Sequence, residues 1–156
     1  MNERVQVFIA CSGRAKNEAQ YLDNRLSDIF FQDITIKPTV WWDRKGSNSV
    51  IIEHLIKQTK ECDFAVILLT KDDITFKENK SGKQDTVPRD NCVFEAGLFT
   101  GALGPDFQRC FLLSSVEQTA LPSDLQGLEY IKINEYDGQN NNQKAKDTRS
   151  KTRMLV

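Results

Sequence analysis

Phe64-Ala65-Val66-Ile67-Leu68-Leu69 is six apolar residues in a row with no polar alternation. A strand that shows one face to water alternates; a strand covered on both faces does not, and that is how the centre of a parallel sheet reads. The run ends in Thr70-Lys71-Asp72-Asp73, so the chain leaves the strand through polar residues. Working toward the N-terminus, Ile51, Ile52, Leu55 and Ile56 recur at helical spacing and predict a helix with those residues on one apolar face and His54 on the polar side. Before it, Ile34 to Trp42 reads as a strand, with Pro38 marking an edge position because proline cannot donate to a ladder. Ala19, Leu22, Leu26, Ile29 and Phe30 predict another amphipathic helix, and Val5 to Cys11 a first strand that runs into the loop Ser12-Gly13-Arg14. Toward the C-terminus, residues 72–88 read as a polar surface loop. Cys110 to Leu113 and Glu129 to Ile133 follow as strands, joined by the structured connection Leu121-Pro122-Ser123-Asp124-Leu125-Gln126-Gly127.

Strands alternating with helices predict an α/β fold: a five-stranded parallel sheet in the flavodoxin-like order 2-1-3-4-5 with helices on both faces. In such sheets ligands bind beyond the carboxyl ends of the strands. Ser12-Gly13-Arg14, Trp42-Asp43 and Asp72-Asp73 all follow strand ends and gather at that edge.

With 156 residues the chain is long enough for one domain with a real core. A net charge of −1 gives no basic field to draw in nucleic acid, and no apolar run approaches the roughly 20 residues of a membrane helix. Met1-Asn2-Glu3-Arg4-Val5 has no signal-peptide shape, and the expected location is the cytoplasm. Cys11, Cys62, Cys92 and Cys110 are widely spaced among apolar neighbours, which predicts buried free thiols and no metal site. One histidine, His54, argues against Ser-His-Asp catalysis and multi-histidine metal centres. Neither a Gly-x-Gly-x-x-Gly turn nor a Walker A motif is present.

The chemistry concentrates in Arg89-Asp90-Asn91-Cys92-Val93-Phe94-Glu95-Ala96-Gly97-Leu98-Phe99-Thr100-Gly101-Ala102-Leu103-Gly104. This reads as a helix capped by Asp90 or Asn91, closed by Gly104 and followed by Pro105. Its residues are almost all apolar or small, which predicts burial on most faces and leaves Glu95 as a carboxylate in the first turn of a buried helix. Glu95 has two readings: a charge kept for chemistry, or an ion-pair partner for Arg89. As chemistry, a carboxylate in a partly dry pocket suits an oxocarbenium ion of the kind formed in glycosidic cleavage. Arg14 or Arg89 could then face phosphate, and Trp41 or Trp42 a base. The spacing Gly97-x-x-x-Gly101 reads as close helix packing.

Four segments carry a resemblance to a known family. They are Val7-Phe8-Ile9-Ala10-Cys11-Ser12-Gly13, residues 63–73, residues 89–104 and Leu121-Pro122-Ser123-Asp124-Leu125-Gln126-Gly127. Together they resemble the bacterial TIR-like domains of anti-phage effectors, the TIR-STING, TIR-SAVED and Pycsar TIR group. The resemblance implies a TIR domain over residues 1–137 and an NAD+ glycohydrolase releasing nicotinamide, with no cofactor because NAD+ is the substrate. It implies Glu95 as the catalytic residue. It places Ser12, Gly13, Arg14, Trp42, Asp43, Asp73, Arg89 and Asn91 around NAD+. It further implies self-association into oligomers or filaments driven by a cyclic-nucleotide sensor domain of STING or SAVED type, with neither nucleic acid nor membrane as partner. The polar and basic stretch 138–156 reads as a tail or linker toward such a sensor. A non-catalytic TIR adaptor and a nucleoside deoxyribosyltransferase-like enzyme are the alternatives.

Overall fold

The computed structural model describes residues 3–42, 50–76, 84–104, 109–117, 120–126, 128 and 130–133. Asp43 and the 138–156 tail lie outside the described residues. The main sheet has six strands in the order β2-β3-β1-β4-β7-β8. Its strands are β1 (Glu3–Ala10), β2 (Phe30–Phe31), β3 (Ile34–Val40), β4 (Phe64–Leu69), β7 (Cys110–Ser114) and β8 (Tyr130–Lys132). The pairs β3-β1, β1-β4, β4-β7 and β7-β8 are parallel, which reproduces the expected 2-1-3-4-5 order. The sixth strand, β2, is a two-residue antiparallel addition on β3. It pairs only with Ile34 and Thr35, so at Pro38 the outer side of β3 remains an edge, as the proline implied.

Side chains alternate across each strand, and that alternation divides the core in two. Phe8, Ala10, Ala65, Ile67 and Leu69 point to the face covered by α2 (Ile51–Glu61) and α3 (Asp90–Ala102). Val7, Ile9, Val66 and Leu68 point to the face covered by α1 (Lys16–Ser27) through Ala19 and Leu22. On the α3 side Phe8 and Phe99, both fully buried, stack with ring centroids 4.7 Å apart. A short α4 (Ser123–Gln126) sits in the connection before β8 and buries Leu125.

Several expectations need correction. α1 stops at Ser27, so Ile29 falls beyond it and Phe30 lies in β2, 74% exposed. On α2 the buried residues are His54 and Leu55, whereas Ile51, Ile52 and Ile56 face outward. Leu55 is core as expected, but α2 turns its His54-Leu55 edge inward, which leaves the three isoleucines of the expected apolar face exposed. Within residues 72–88, read as a loop, β5 (Asp73–Phe76) and β6 (Gln84–Val87) pair as antiparallel strands between β4 and α3. The thiols are free; Cys11, Cys62 and Cys92 are buried and Cys110 is half-buried. Among the described residues, no helix is long and apolar enough to cross a membrane.

Candidate functional site

α3 begins at Asp90 with Arg89 as its N-cap residue and no capping side-chain bond, so neither Asp90 nor Asn91 caps it. It ends on Leu103, and Gly104 takes φ +97°, the left-handed close that the glycine predicted. Only one stripe of α3 is buried: Cys92, Glu95, Ala96 and Phe99, at the three- and four-residue steps of a helix face. Phe94 is 53% exposed, and Gly97 and Gly101 open onto free space rather than a packed neighbour. The helix is therefore apolar all round but buried on one side only.

Glu95 occupies an inward position that an apolar residue would otherwise take. It is 9% exposed, and its Oε2 has no hydrogen-bond partner among the described residues. It is the sixth residue of α3, in the second turn rather than the first, where the helix dipole no longer offsets burial. Desolvation pushes its carboxyl up from an ordinary 4.5 to about 7. The ion-pair alternative is not realised: Arg89 pairs with Asp73 instead, at 3.6 Å, with both side chains part-exposed.

Around Glu95 stand two buried thiols. Burial drives Cys11, at the end of β1, to about 12. The Trp41 indole counteracts this, and the charges of Glu95, Glu18 and Asp72 add to it. Burial likewise drives Cys92, one helical turn before Glu95, to about 12, reinforced by Glu95, Asp72 and Cys11. Both thiols stay protonated at neutral pH and are poor nucleophiles, which leaves the carboxyl as the reactive group of the cluster.

The loops expected at the carboxyl edge are there. Ser12 is buried, donates to Asp72 Oδ1 at 2.7 Å and accepts from the Arg14 amide at 3.2 Å. Gly13 and Arg14 open a single 3-10 turn and are exposed. Trp41 and Trp42 lie just past β3, both half-buried, with rings edge to face at 5.8 Å. The Lys16 ammonium covers both rings, at 5.6 and 5.3 Å. Asn91 is exposed one turn before Glu95 on the same side of α3.

Sequence reasoning brought both tryptophans and both aspartates to this edge but assigned Trp42 and Asp73 to the substrate; Trp41 and Asp72 are the more deeply built-in members of the two pairs. Trp41 packs against both halves of the core, and its indole lies against the Cys11 thiol. Two adjacent tryptophans gave no sign of which would reach that thiol. Asp72 is 4% exposed where Asp73 is part-exposed, and a pair of identical residues likewise carries no such distinction. Among the described residues, no cluster of His, Cys, Asp and Glu could hold a metal ion.

Residues 6–135 match the family described as CAP12/Pycsar effector protein, TIR domain. The chain is a TIR domain of that family. It is 38% identical over 136 residues to CD-NTase-associated protein 12 of Sphingobacterium faecium, covering 87% of this chain and 38% of that protein. It is 38% identical over 127 residues to Pycsar effector protein PaPycTIR of Pseudomonas aeruginosa, covering 80% and 38%. Pycsar effector protein BcPycTIR of Burkholderia cepacia is 35% identical over 133 residues, covering 83% and 40%. The TIR domain thus spans 38% to 40% of the length of these relatives.

Proposed function

We propose that this TIR domain cleaves the nicotinamide–ribose bond of NAD+, as the effector part of an anti-phage defence protein. The single observation that carries the reading is Glu95: a buried carboxyl with an unpartnered oxygen and a value near 7. A structural carboxylate is neutralised by a partner; one left unpaired in a dry setting is held ready for a cation. Nicotinamide riboside is such a cation. As the bond from C1′ to the ring nitrogen breaks, its electron pair returns to the ring, nicotinamide leaves neutral, and the positive charge moves onto the ribose. Ionised Glu95 stabilises that charge. Water then bonds to C1′, and its proton passes to Glu95 and on to solvent. A carboxyl near 7 can take and release that proton at neutral pH.

The other site residues follow from charge and exposure. Arg14 makes no ion pair with the described residues, so its guanidinium is the one to face the pyrophosphate; the Arg89 charge is already met by Asp73. Trp41 and Trp42, half-buried just past β3, are the aromatic rings assigned to the base, and the exposed Asn91 is assigned to the substrate as well. Asp43 and Gly13 complete the reading.

Activation by assembly belongs to the same proposal. The exposed apolar residues Val50, Ile51 and Ile56 on and before α2, with Phe94 on α3, give a surface suited to a second copy. The name CD-NTase-associated, carried by relatives of more than twice this length, supports a cyclic-nucleotide sensor as the trigger.

The test is nicotinamide release by the full chain, free and with copies clustered by a fused oligomeriser. Glu95→Gln should lose at least a thousandfold in rate. Turnover by Glu95→Gln at the parent's rate would overturn the assignment. No turnover by the clustered parent would favour the non-catalytic adaptor. Base exchange between deoxynucleosides would favour the transferase alternative.

A further inference from the structure

Asp72 is buried and engaged through both carboxylate oxygens, its carbonyl and its amide. Its Oδ1 accepts from Ser12 Oγ at 2.7 Å and its Oδ2 from Thr70 Oγ1 at 2.8 Å. Its carbonyl oxygen accepts from Arg14 Nη1 at 2.8 Å. Its amide donates to Thr70 O at 2.9 Å and to Val87 O at 3.2 Å. Ser12 in turn accepts from the Arg14 amide, and its carbonyl from the Ala15 amide. One residue thus ties together the loop after β1, the end of β4 and the end of β6 at Val87, just ahead of α3, which begins at Asp90 with its N-cap at Arg89. The charges of Asp72 and Glu95 both reach the Cys11 and Cys92 thiols, which puts this clamp and the carboxyl in one neighbourhood.

Two consequences follow from donor and acceptor chemistry. The Ser12 hydroxyl hydrogen is committed to Asp72, so Ser12 acts as a link rather than as a donor to a ligand. Arg14 is held by a neutral carbonyl instead of a carboxylate, so its position is fixed while its charge stays available.

We infer that Asp72 is a positioning residue that clamps the Ser12–Arg14 turn and so presents Arg14 to the anionic part of the substrate. This rests on the NAD+ reading for its substrate, but the clamp has a readout of its own. Loss of the clamp frees the turn without touching Glu95, so it weakens recognition of the pyrophosphate and spares bond cleavage.

The experiment uses the full chain and the variants Asp72→Asn, Ser12→Ala and their double. Hydrogen exchange at the Arg14 and Ala15 amides is expected to quicken about tenfold or more in each. The amides of β1 and β4 should keep the parent's protection. In clustered chains KM for NAD+ should rise about tenfold with kcat within about twofold. Inhibition by ADP-ribose should weaken in step, and inhibition by nicotinamide should not change. The double variant should be no worse than the worse single. Exchange at Arg14 and Ala15 no faster than in the parent would overturn the inference. So would a fall in kcat with KM unchanged, or additive effects. If Asp72→Asn does not fold, Ser12→Ala, which deletes one hydroxyl, carries both readouts. A parent that releases no nicotinamide sinks the proposed function, and exchange still decides the clamp.

Discussion

Replacing Glu95 with glutamine should make the domain more stable, and more so as pH rises. Burial lifts the Glu95 carboxyl from 4.5 when unfolded to about 7 when folded. A raised value means that the folded state holds the proton more tightly. The stabilisation is therefore full below the unfolded value and is lost as pH rises through the folded one. At about 1.36 kcal/mol for each tenfold, the loss above pH 7 is about 3 kcal/mol. Glutamine keeps the shape and never ionises. Parent and Glu95→Gln should match near pH 4.5 and diverge to about 3 kcal/mol in favour of the variant by pH 8, or roughly 6–12 °C in Tm for a chain of this size. Urea unfolding of both proteins across that range measures it, and carboxylates common to the two cancel in the difference. A difference that does not change with pH would refute the reasoning. So would a variant less stable than the parent at pH 8, which would mean that Glu95 has a partner in solution.

Activity should run the opposite way: kcat/KM for nicotinamide release is expected to fall about tenfold for each pH step below the Glu95 value of about 7, because only the ionised form serves the cation. A profile flat from pH 5 to 8 would argue against it. Phe99→Ala removes a fully buried ring stacked on Phe8 and should cost about 3–5 kcal/mol in a urea titration. Gly104→Ala forces a side chain into φ +97° and should cost about 1–2 kcal/mol, since Arg109 at 3.6 Å leaves room and only the backbone objects. Gly101→Ala, on the open side of α3, should add about 0.5–1 kcal/mol to the unclustered domain, read as a rise in Tm.

The sheet was legible because its central strand is covered on both faces and cannot alternate, and because parallel strands leave few orders to choose from. The helices were legible as elements but less so as faces. In α2 the apolar residues Ile51, Ile52 and Ile56 look outward and His54 looks inward, the reverse of what hydropathy alone implies. Periodicity reports which residues share a face; it does not report whether that face meets the sheet. The β5-β6 hairpin escaped notice because its strands are four residues each, Asp73-Ile74-Thr75-Phe76 and Gln84-Asp85-Thr86-Val87, with too little apolar signal to separate from a loop. At the site, Glu95 was legible because one acid stands in an apolar helix. The turn it occupies was misplaced because Arg89, not Asp90 or Asn91, takes the cap position. Asp72 was not separable from Asp73 in sequence; only the register of β4 decides which of the two points inward.

No described partner meets Glu95 Oε2, so dryness alone opposes its charge. A carboxyl held up by a neighbouring charge answers to salt; one held up by burial answers to water. Any surface that shuts more water away from Glu95 will draw a proton from the medium, and arrival of a cationic ring will return it. The heat of covering this domain should therefore vary with the ionisation heat of the buffer, in opposite senses without and with the cationic ring. Calorimetry in two buffers can then follow the covering of Glu95 with no catalysis taking place.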